Sequence, residues 1–457
     1  APTRRRESGR SRRFGGRVLL LAALAFLGVW EAGGFQAASA APLPRVRLLA
    51  VGDVLVHEPQ LEAARRGPDS WDFRSAFAPV AALLREGDLT VGNLEIPLGG
   101  EAGGYTGYPA FNAPDALGEA LAWAGFDVLF TANNHCLDRG EAGALRTLEA
   151  LDRLGLAHTG TFAAAEAPAP LRVVRRGISF AFLAYTYGTN GVPVPPGVRV
   201  NRIDPERVAE DVRSARAASP DFVAVAFHYG PEYRTEPHPS QEEAVEAALG
   251  AGADLILGGH PHVLQRVDVL PPSRPGGTSR VVAWSLGNFV SSQRTLPRER
   301  GAVLEVEALR GADGVARIVR VGAVPLWVRF DRPGGRRRVE VLPLREKGDP
   351  EGSGRLDRVR RQVLDLLTRG ARGQIPLRHD GRSWALSEAP ESKAPSGVGL
   401  EKDEGPGSVD PRPSPICGEW EAVGPTGPRS PPPGRFRGSW PGRTGPAGPP
   451  CAPRSRP

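Results

Sequence analysis

Between Val46 and Leu344 short apolar runs alternate with longer segments of helical periodicity, and this alternation most constrains the fold. A run such as Asp254–Leu257 reads as a buried β-strand. Further strands are predicted at Val46–Val51, Leu89–Gly92, Val128–Thr131, Ser179–Ala184, Phe222–Phe227 and Val281–Ser285. Between them, helices are predicted at Asp72–Arg85, Pro114–Ala124, Ala142–Leu154, Pro205–Ala217 and Gln241–Ala251. Strands and helices in this alternation make an α/β layered domain over residues 46–345. Later runs at Val303–Leu309, Ile318–Pro325 and Val339–Pro343 alternate as antiparallel strands do, and Leu270–Arg280 reads as a hairpin loop.

Both ends differ from this body. Arg4, Arg5, Arg6, Arg10, Arg12 and Arg13 precede an apolar run from Val18 to Trp30, and Ala38-Ser39-Ala40 follows as an A-x-A cleavage site. Residues 1–40 therefore read as a signal peptide or a membrane anchor. Either reading exports the body, to the periplasm, the cell surface or the outer face of the cytoplasmic membrane. Leu356, Val359, Val363, Leu366 and Leu367 recur at helical spacing before Gly370, which predicts a closing helix over 353–370. Residues 387–457 are rich in Pro, Gly, Ser and Arg and poor in aliphatics, so they read as disordered. The net charge of +7 lies largely in the N-terminal tip and the C-terminal part, so no nucleic-acid partner is expected. Of three cysteines, Cys417 and Cys451 lie in the tail, and Cys136 reads as a packing residue.

Chemistry gathers where the predicted strands end. Asp53 closes the first strand, with His57 four residues on. Gly92-Asn93-Leu94-Glu95 closes the second, and Asn133-Asn134-His135, with Asp138 close behind, follows the third. Later come His228-Tyr229-Gly230-Pro231-Glu232, Gly258-Gly259-His260-Pro261-His262 and Ser285-Leu286-Gly287-Asn288-Phe289. Five of the eight histidines belong to this set. In open α/β sheets ligands bind outside the carboxyl ends of the strands. Mixed carboxylate, imidazole and amide donors suit Zn²⁺, Mn²⁺ or Fe²⁺. The metal candidates are Asp53, His57, Glu95, Asn134, His228, His260 and His262, holding one or two divalent ions. His135 is the candidate general acid or base. Asp138 either orients its ring or caps the helix that follows. Asn93, Glu232 and Asn288 are candidate substrate contacts.

These motifs, in this order over about Arg47 to Phe289, resemble the CapA family of capsule or poly-γ-glutamate biosynthesis proteins. The resemblance rests on Ala50-Val51-Gly52-Asp53, Val91-Gly92-Asn93-Leu94-Glu95, Ala132–Gly140, His228–Tyr233, Gly258–Val263 and Ser285–Phe289. It implies a metallophosphatase-like four-layer α/β/β/α sandwich of the calcineurin-like phosphoesterase type, with two metals. On that resemblance Asp53 is the first-strand carboxylate, Asn134 an amide ligand, and His228, His260 and His262 metal ligands. His135 is then the substrate-protonating histidine. Leu55 stands where the superfamily has a histidine, and Asn93 and Glu95 stand where it has a bridging aspartate. The implied function is synthesis, attachment or export of a surface anionic polymer such as polyglutamate, with membrane polymer-synthesis or export proteins as partners. The implied chemistry is metal-dependent hydrolysis of a phosphoester or an amide. A non-catalytic polymer-binding factor and a secreted metallophosphatase unrelated to capsule are the alternatives.

Overall fold

Two sheets, stacked face to face, carry the chain in a computed structural model that describes residues 43–345, except 274, and 354–388. The expected leader (1–40) and the tail beyond 388, with Cys417 and Cys451, lie outside the described residues. The first half of the chain forms β1 (Arg45–Val54), α1 (Glu58–Ala64), α2 (Arg74–Arg85), β2 (Leu89–Leu94), α3 (Ala116–Ala124) and β3 (Val128–Phe130). It continues through α4 (Gly140–Arg153), β4 (Ala157–Thr159), β5 (Leu171–Arg175) and β6 (Ile178–Thr186). Then follow α5 (Pro205–Ala217), β7 (Phe222–His228), α6 (Pro239–Ala251), β8 (Leu255–Gly259), β9 (Val267–Leu270) and β10 (Arg280–Ala283). The chain closes with β11 (Asn288–Val290), β12 (Arg300–Arg310), β13 (Ala316–Asp331), β14 (Arg338–Pro343), α7 (Arg355–Thr368), β15 (Arg378–His379) and β16 (Trp384–Glu388).

The first sheet runs β15-β16-β13-β12-β1-β2-β3-β4, with β11 paired to β1 and β14 to β13. The second runs β9-β10-β8-β7-β6-β5. In the first sheet β1 to β4 are mutually parallel, β11 pairs with β1 in parallel, and the other later strands are antiparallel. In the second, β6, β7, β8 and β10 are parallel. Alternation of side chains along each strand builds the layers. Val46, Leu48 and Ala50 of β1 point into a core shared with Phe180 and Phe182 of β6 and Ala224 of β7. Leu49 and Val51 point the other way, onto Phe77, Val80 and Leu84 of α2 and Leu117 and Leu121 of α3. On the far side, Val223 and Val225 of β7 pack on Val208 and Val212 of α5 and on Val245 and Ala248 of α6. The result is helix, sheet, sheet, helix: the four-layer sandwich the resemblance implies.

Local signals start and stop the helices. Asp204 accepts from the Arg207 amide at 3.0 Å and Pro205 opens α5, as an N-cap and a first-turn proline should. Gly125 and Gly252 end α3 and α6 in the left-handed conformation. The hairpin predicted at Leu270–Arg280 joins β9 to β10. The sequence pattern put Asn288 at the end of the strand beginning at Val281, but β10 stops at Ala283. Residues 288–290 cross to the first sheet instead and pair with β1. α7 lies within the 353–370 region expected to be helical, of which residue 353 is outside the described residues, and β15 and β16 extend the first sheet beyond it. Among the described residues no helix is long and apolar enough to cross a membrane.

Candidate metal centre and its loops

The parallel strands of both sheets deliver their carboxyl ends to one cleft. From the first sheet come Asp53, Asn93, Glu95 and the Asn133–His135 loop; from the second come His228 and the His260–His262 loop. A bulge aims Asp53: three residue steps of β1, from Ala50 to Asp53, match two on β2, from Val91 to Asn93. Asp53 thereby sits between Asn93 and Asn288 in register. A Cβ at Gly259 would lie 2.4 Å from Asp53 Oδ1, so any larger residue there would displace that carboxylate. Beyond it, His260 (φ +92°) and His262 (φ +56°) occupy the left-handed region that side chains rarely adopt. The His260 amide donating to Asp53 Oδ2 at 3.0 Å helps hold that conformation.

The side chains converge closely. Asn93 Nδ2 donates to Asp53 Oδ1 at 2.7 Å and lies 3.1 Å from His228 Nδ1. His228 Nε2 faces Asn134 Oδ1 at 2.8 Å, His260 Nδ1 at 3.1 Å and Glu95 Oε1 at 3.2 Å. His262 Nδ1 lies 3.0 Å from Asn288 Oδ1 and 3.4 Å from Asp53 Oδ2. Three groups present ligand atoms within 4.8 Å of one another: Glu95–His228–His260, Glu232–His260–His262 and Asp53–Glu95–His262. Glu232, read from sequence as a substrate contact, thus stands beside the paired histidines, and it is exposed.

Burial sets the charges. It pushes Glu95 up to about 8 against the pull of His262, and holds His228 down near 3 and His260 near 2. Burial works against Asp53 too, but His262, His228 and Asn93 keep its carboxylate at about 2. His262 is desolvated, yet Glu95 and Asp53 raise it to about 9. Both oxygens of Glu95 are buried and neither accepts a hydrogen bond. An inward-facing carboxylate without a donor, ringed by imidazole nitrogens and an amide oxygen, is a donor set that fits a divalent cation.

His135 stands beside this cluster. Its Nδ1 lies 2.8 Å from Asp138 Oδ2, which also accepts from the Phe111 amide at 2.8 Å. Asp138 therefore orients the ring; the residue at the N-cap of α4 is Arg139. Asn133 supports the loop, donating to the Leu94 carbonyl at 2.7 Å and accepting from the His135 amide at 3.2 Å. His57 joins none of the three ligand groups. Its ring meets Phe111 edge-on at 5.0 Å, its Nδ1 accepts from the Ser292 amide at 3.4 Å, and burial lowers it to about 4. It lines the wall next to the centre. Burial pushes the Cys136 thiol up to about 12, which suits packing rather than attack.

Some neighbours were not legible in the sequence. Asn190 (φ +50°) accepts from Asn134 Nδ2 at 3.2 Å and places its own amide 3.5 Å from His135 Nδ1. Tyr187 packs on His260 at 4.5 Å, and Tyr233 on His262 at 6.3 Å. The Asn190-Gly191 pair signals a turn and nothing more; Tyr233 ends the His228–Tyr233 stretch, and an exposed tyrosine there carries no signal of its own.

Fold and site together define a class: a four-layer α/β/β/α protein with a buried carboxylate–imidazole centre at the strand ends. Within that class the chain belongs to the bacterial capsule synthesis protein family PGA_cap, whose profile matches residues 47–293. The capsule biosynthesis protein CapA of Bacillus anthracis is 31% identical over 265 residues, covering 54% of this chain and 60% of that one. The PGA biosynthesis protein CapA of Bacillus subtilis (strain 168) is 27% identical over 293 residues, covering 62% and 73%. The match thus spans about three-fifths of the Bacillus anthracis protein's length. Among solved structures, a 5'-nucleotidase from Candida albicans SC5314 aligns with a TM-score of 0.36 at 11% identity, covering 57% of this chain and 48% of that one.

Proposed function

We propose that this chain is an exported, metal-dependent hydrolase acting on a surface anionic polymer, such as polyglutamate, during its synthesis, attachment or export. The observation that carries the reading is Glu95, fully buried with no hydrogen-bond donor, beside a histidine held by its own carboxylate. Membership of a capsule-synthesis family and the printed names of the two CapA relatives support the polymer assignment. Action at the cell envelope, beside membrane polymer-synthesis or export proteins, is part of the same proposal.

Asp53, Glu95, His228, His260 and His262, with Asn134 and Glu232 at the margin, would hold one or two divalent ions, Zn²⁺, Mn²⁺ or Fe²⁺. When bound, such an ion supplies Lewis acidity and a water acidic enough to attack at neutral pH. The chain's own residues do the rest. Asp138 accepts from His135 Nδ1, which orients the ring and leaves Nε2 facing the cleft; in the imidazolium form, with Asp138 answering its charge, Nε2–H hands its proton to the leaving group and the ring returns to the Nδ1–H tautomer. The Phe111 amide, by bonding the same carboxylate oxygen, keeps Asp138 in place. Asn93 holds Asp53 in the orientation a ligand needs. The bond cut is a phosphoester or an amide.

The test is turnover of a phosphodiester and of poly-γ-glutamate by the full-length protein loaded with Zn²⁺, Mn²⁺ or Fe²⁺. His135→Asn should lower kcat by about 10²–10⁴-fold while leaving bound metal unchanged. A metal-loaded protein that cleaves neither substrate, yet binds poly-γ-glutamate, would make it an assembly factor instead.

A further inference from the structure

Many arginines among the described residues are answered by carboxylates: Arg47 by Glu305, Arg146 by Asp115, Arg310 by Asp221. Arg298 is not. Among the described residues it forms no ion pair and donates no side-chain hydrogen bond; its guanidinium carbon sits 3.4 Å from the centroid of the Tyr233 ring. Two tethers hold this stack against the candidate metal centre. The Tyr233 amide donates to the Pro261 carbonyl at 2.8 Å, between the two ligand histidines, and its ring lies 6.3 Å from that of His262. On the other side, the Arg298 carbonyl accepts from Asn288 Nδ2 at 3.0 Å, and Asn288 Oδ1 lies 3.0 Å from His262 Nδ1.

The backbone here is also unusual. Six non-glycine residues among those described have positive φ, and four of them, Asn190, Tyr233, His260 and His262, surround this cleft. Residues held in that region persist only where their surroundings over-determine them, and they concentrate at ligand-binding sites. Tyr233 (φ +66°) presents its ring as the platform on which the guanidinium lies. A guanidinium stacked by its face keeps its edge, with its N–H donors in a fixed fork, available to the two oxygens of an oxyanion.

We propose that Arg298, seated on Tyr233, forms a subsite for an oxyanion of the substrate, a carboxylate or a phosphate, next to the bond to be cut. The inference rests on the reading of this cleft as the substrate site, and it sharpens that reading by assigning the negative charge to a named partner. Arg298 is a specificity residue, and Tyr233 is its positioning residue.

Binding by the full-length, metal-loaded protein is measured by calorimetry with three probes: oligo-γ-glutamate, inorganic polyphosphate and neutral polyglutamine. Arg298→Ala should weaken binding of one anionic probe at least tenfold, and which probe suffers identifies the source of the oxyanion. Arg298→Lys, which keeps the charge but loses the fork, should recover only part of the loss. Polyglutamine binding, bound metal and melting temperature should stay as in the parent. Arg294→Ala serves as the control, since Arg294 stacks on Phe330 in a similar way and pairs with neither ligand histidine. If the parent binds an anionic probe and Arg298→Ala binds it equally well, the subsite is overturned while the polymer reading stands. If the parent binds neither anionic probe, both fall.

Discussion

Two glutamates lie fully buried in or beside the first sheet, and their surroundings are opposite. Glu305 on β12 is enclosed by cations and donors. Its Oε1 accepts from Arg47 Nε at 2.6 Å and lies 3.1 Å from Arg382 Nη2. Its Oε2 accepts from Ser383 at 2.7 Å and lies 3.2 Å from Arg320 Nη1. Burial acts to raise Glu305, but Ser383, Arg47 and Arg320 outweigh it and hold the carboxylate below its ordinary range. Glu95, after β2, has imidazoles and Asp53 around it and no donor on either oxygen, so burial carries it up to about 8. A buried carboxylate is tolerated when a cation answers it. For Glu305 the chain supplies arginines and a hydroxyl in hydrogen-bonding contact. Around Glu95 it offers only imidazoles, His262 among them at 3.8 Å, with no hydrogen bond to either oxygen, and that contrast marks the centre as a place for an ion from outside.

The largest effect expected from this contrast is on stability. Glu305→Gln removes the buried carboxylate that Arg47 and Arg320 share and leaves them only their outer partners Glu86 and Asp380, and urea unfolding should show a loss of about 3 kcal/mol. Glu95→Gln, in chelator-treated protein, breaks no hydrogen bond and should cost less than about 1 kcal/mol. Equal losses in the two variants would break the comparison. A smaller effect appears in acid. Because Glu305 is depressed in the folded state, its stabilisation is present above its unfolded value of about 4.3 and is lost as pH falls through the folded value. The stability gap between the parent and Glu305→Gln should therefore narrow below about pH 4.3. A gap that widens on acidification would reverse the assignment.

How much of this was written in the chain divides along the range of the contacts. Asp53, Glu95, Asn134-His135, His228 and His260–His262 were legible because each stands within five residues of a strand's carboxyl end, where parallel sheets gather their ligands. Asp138 was legible as a neighbour of His135, and geometry chose orientation over capping. Asn288 was legible as a polar residue but not as one that changes sheets, since its partner β1 lies over 200 residues earlier in the chain. Asn190, Tyr187 and Arg298 carry no local signal at all; they reach the cleft only because long loops fold over it. His57, placed with the ligands by its spacing from Asp53, turns instead onto Phe111 and the Ser292 amide. The strands β15 and β16 escaped the sequence pattern because their pairing with β13 and with each other is short and sits at a sheet edge.

The central claim is that the unbonded carboxylate of Glu95 is a ligand of a metal ion. Its most direct test is the metal content of the full-length protein, dialysed against trace Zn²⁺, Mn²⁺ or Fe²⁺ and read by elemental analysis. The parent and Glu305→Gln should retain one or two equivalents of one of these ions, and Glu95→Gln should bind it more than about 10-fold more weakly. Retention by Glu95→Gln equal to that of the parent, or no ion in the parent at all, would contradict the account.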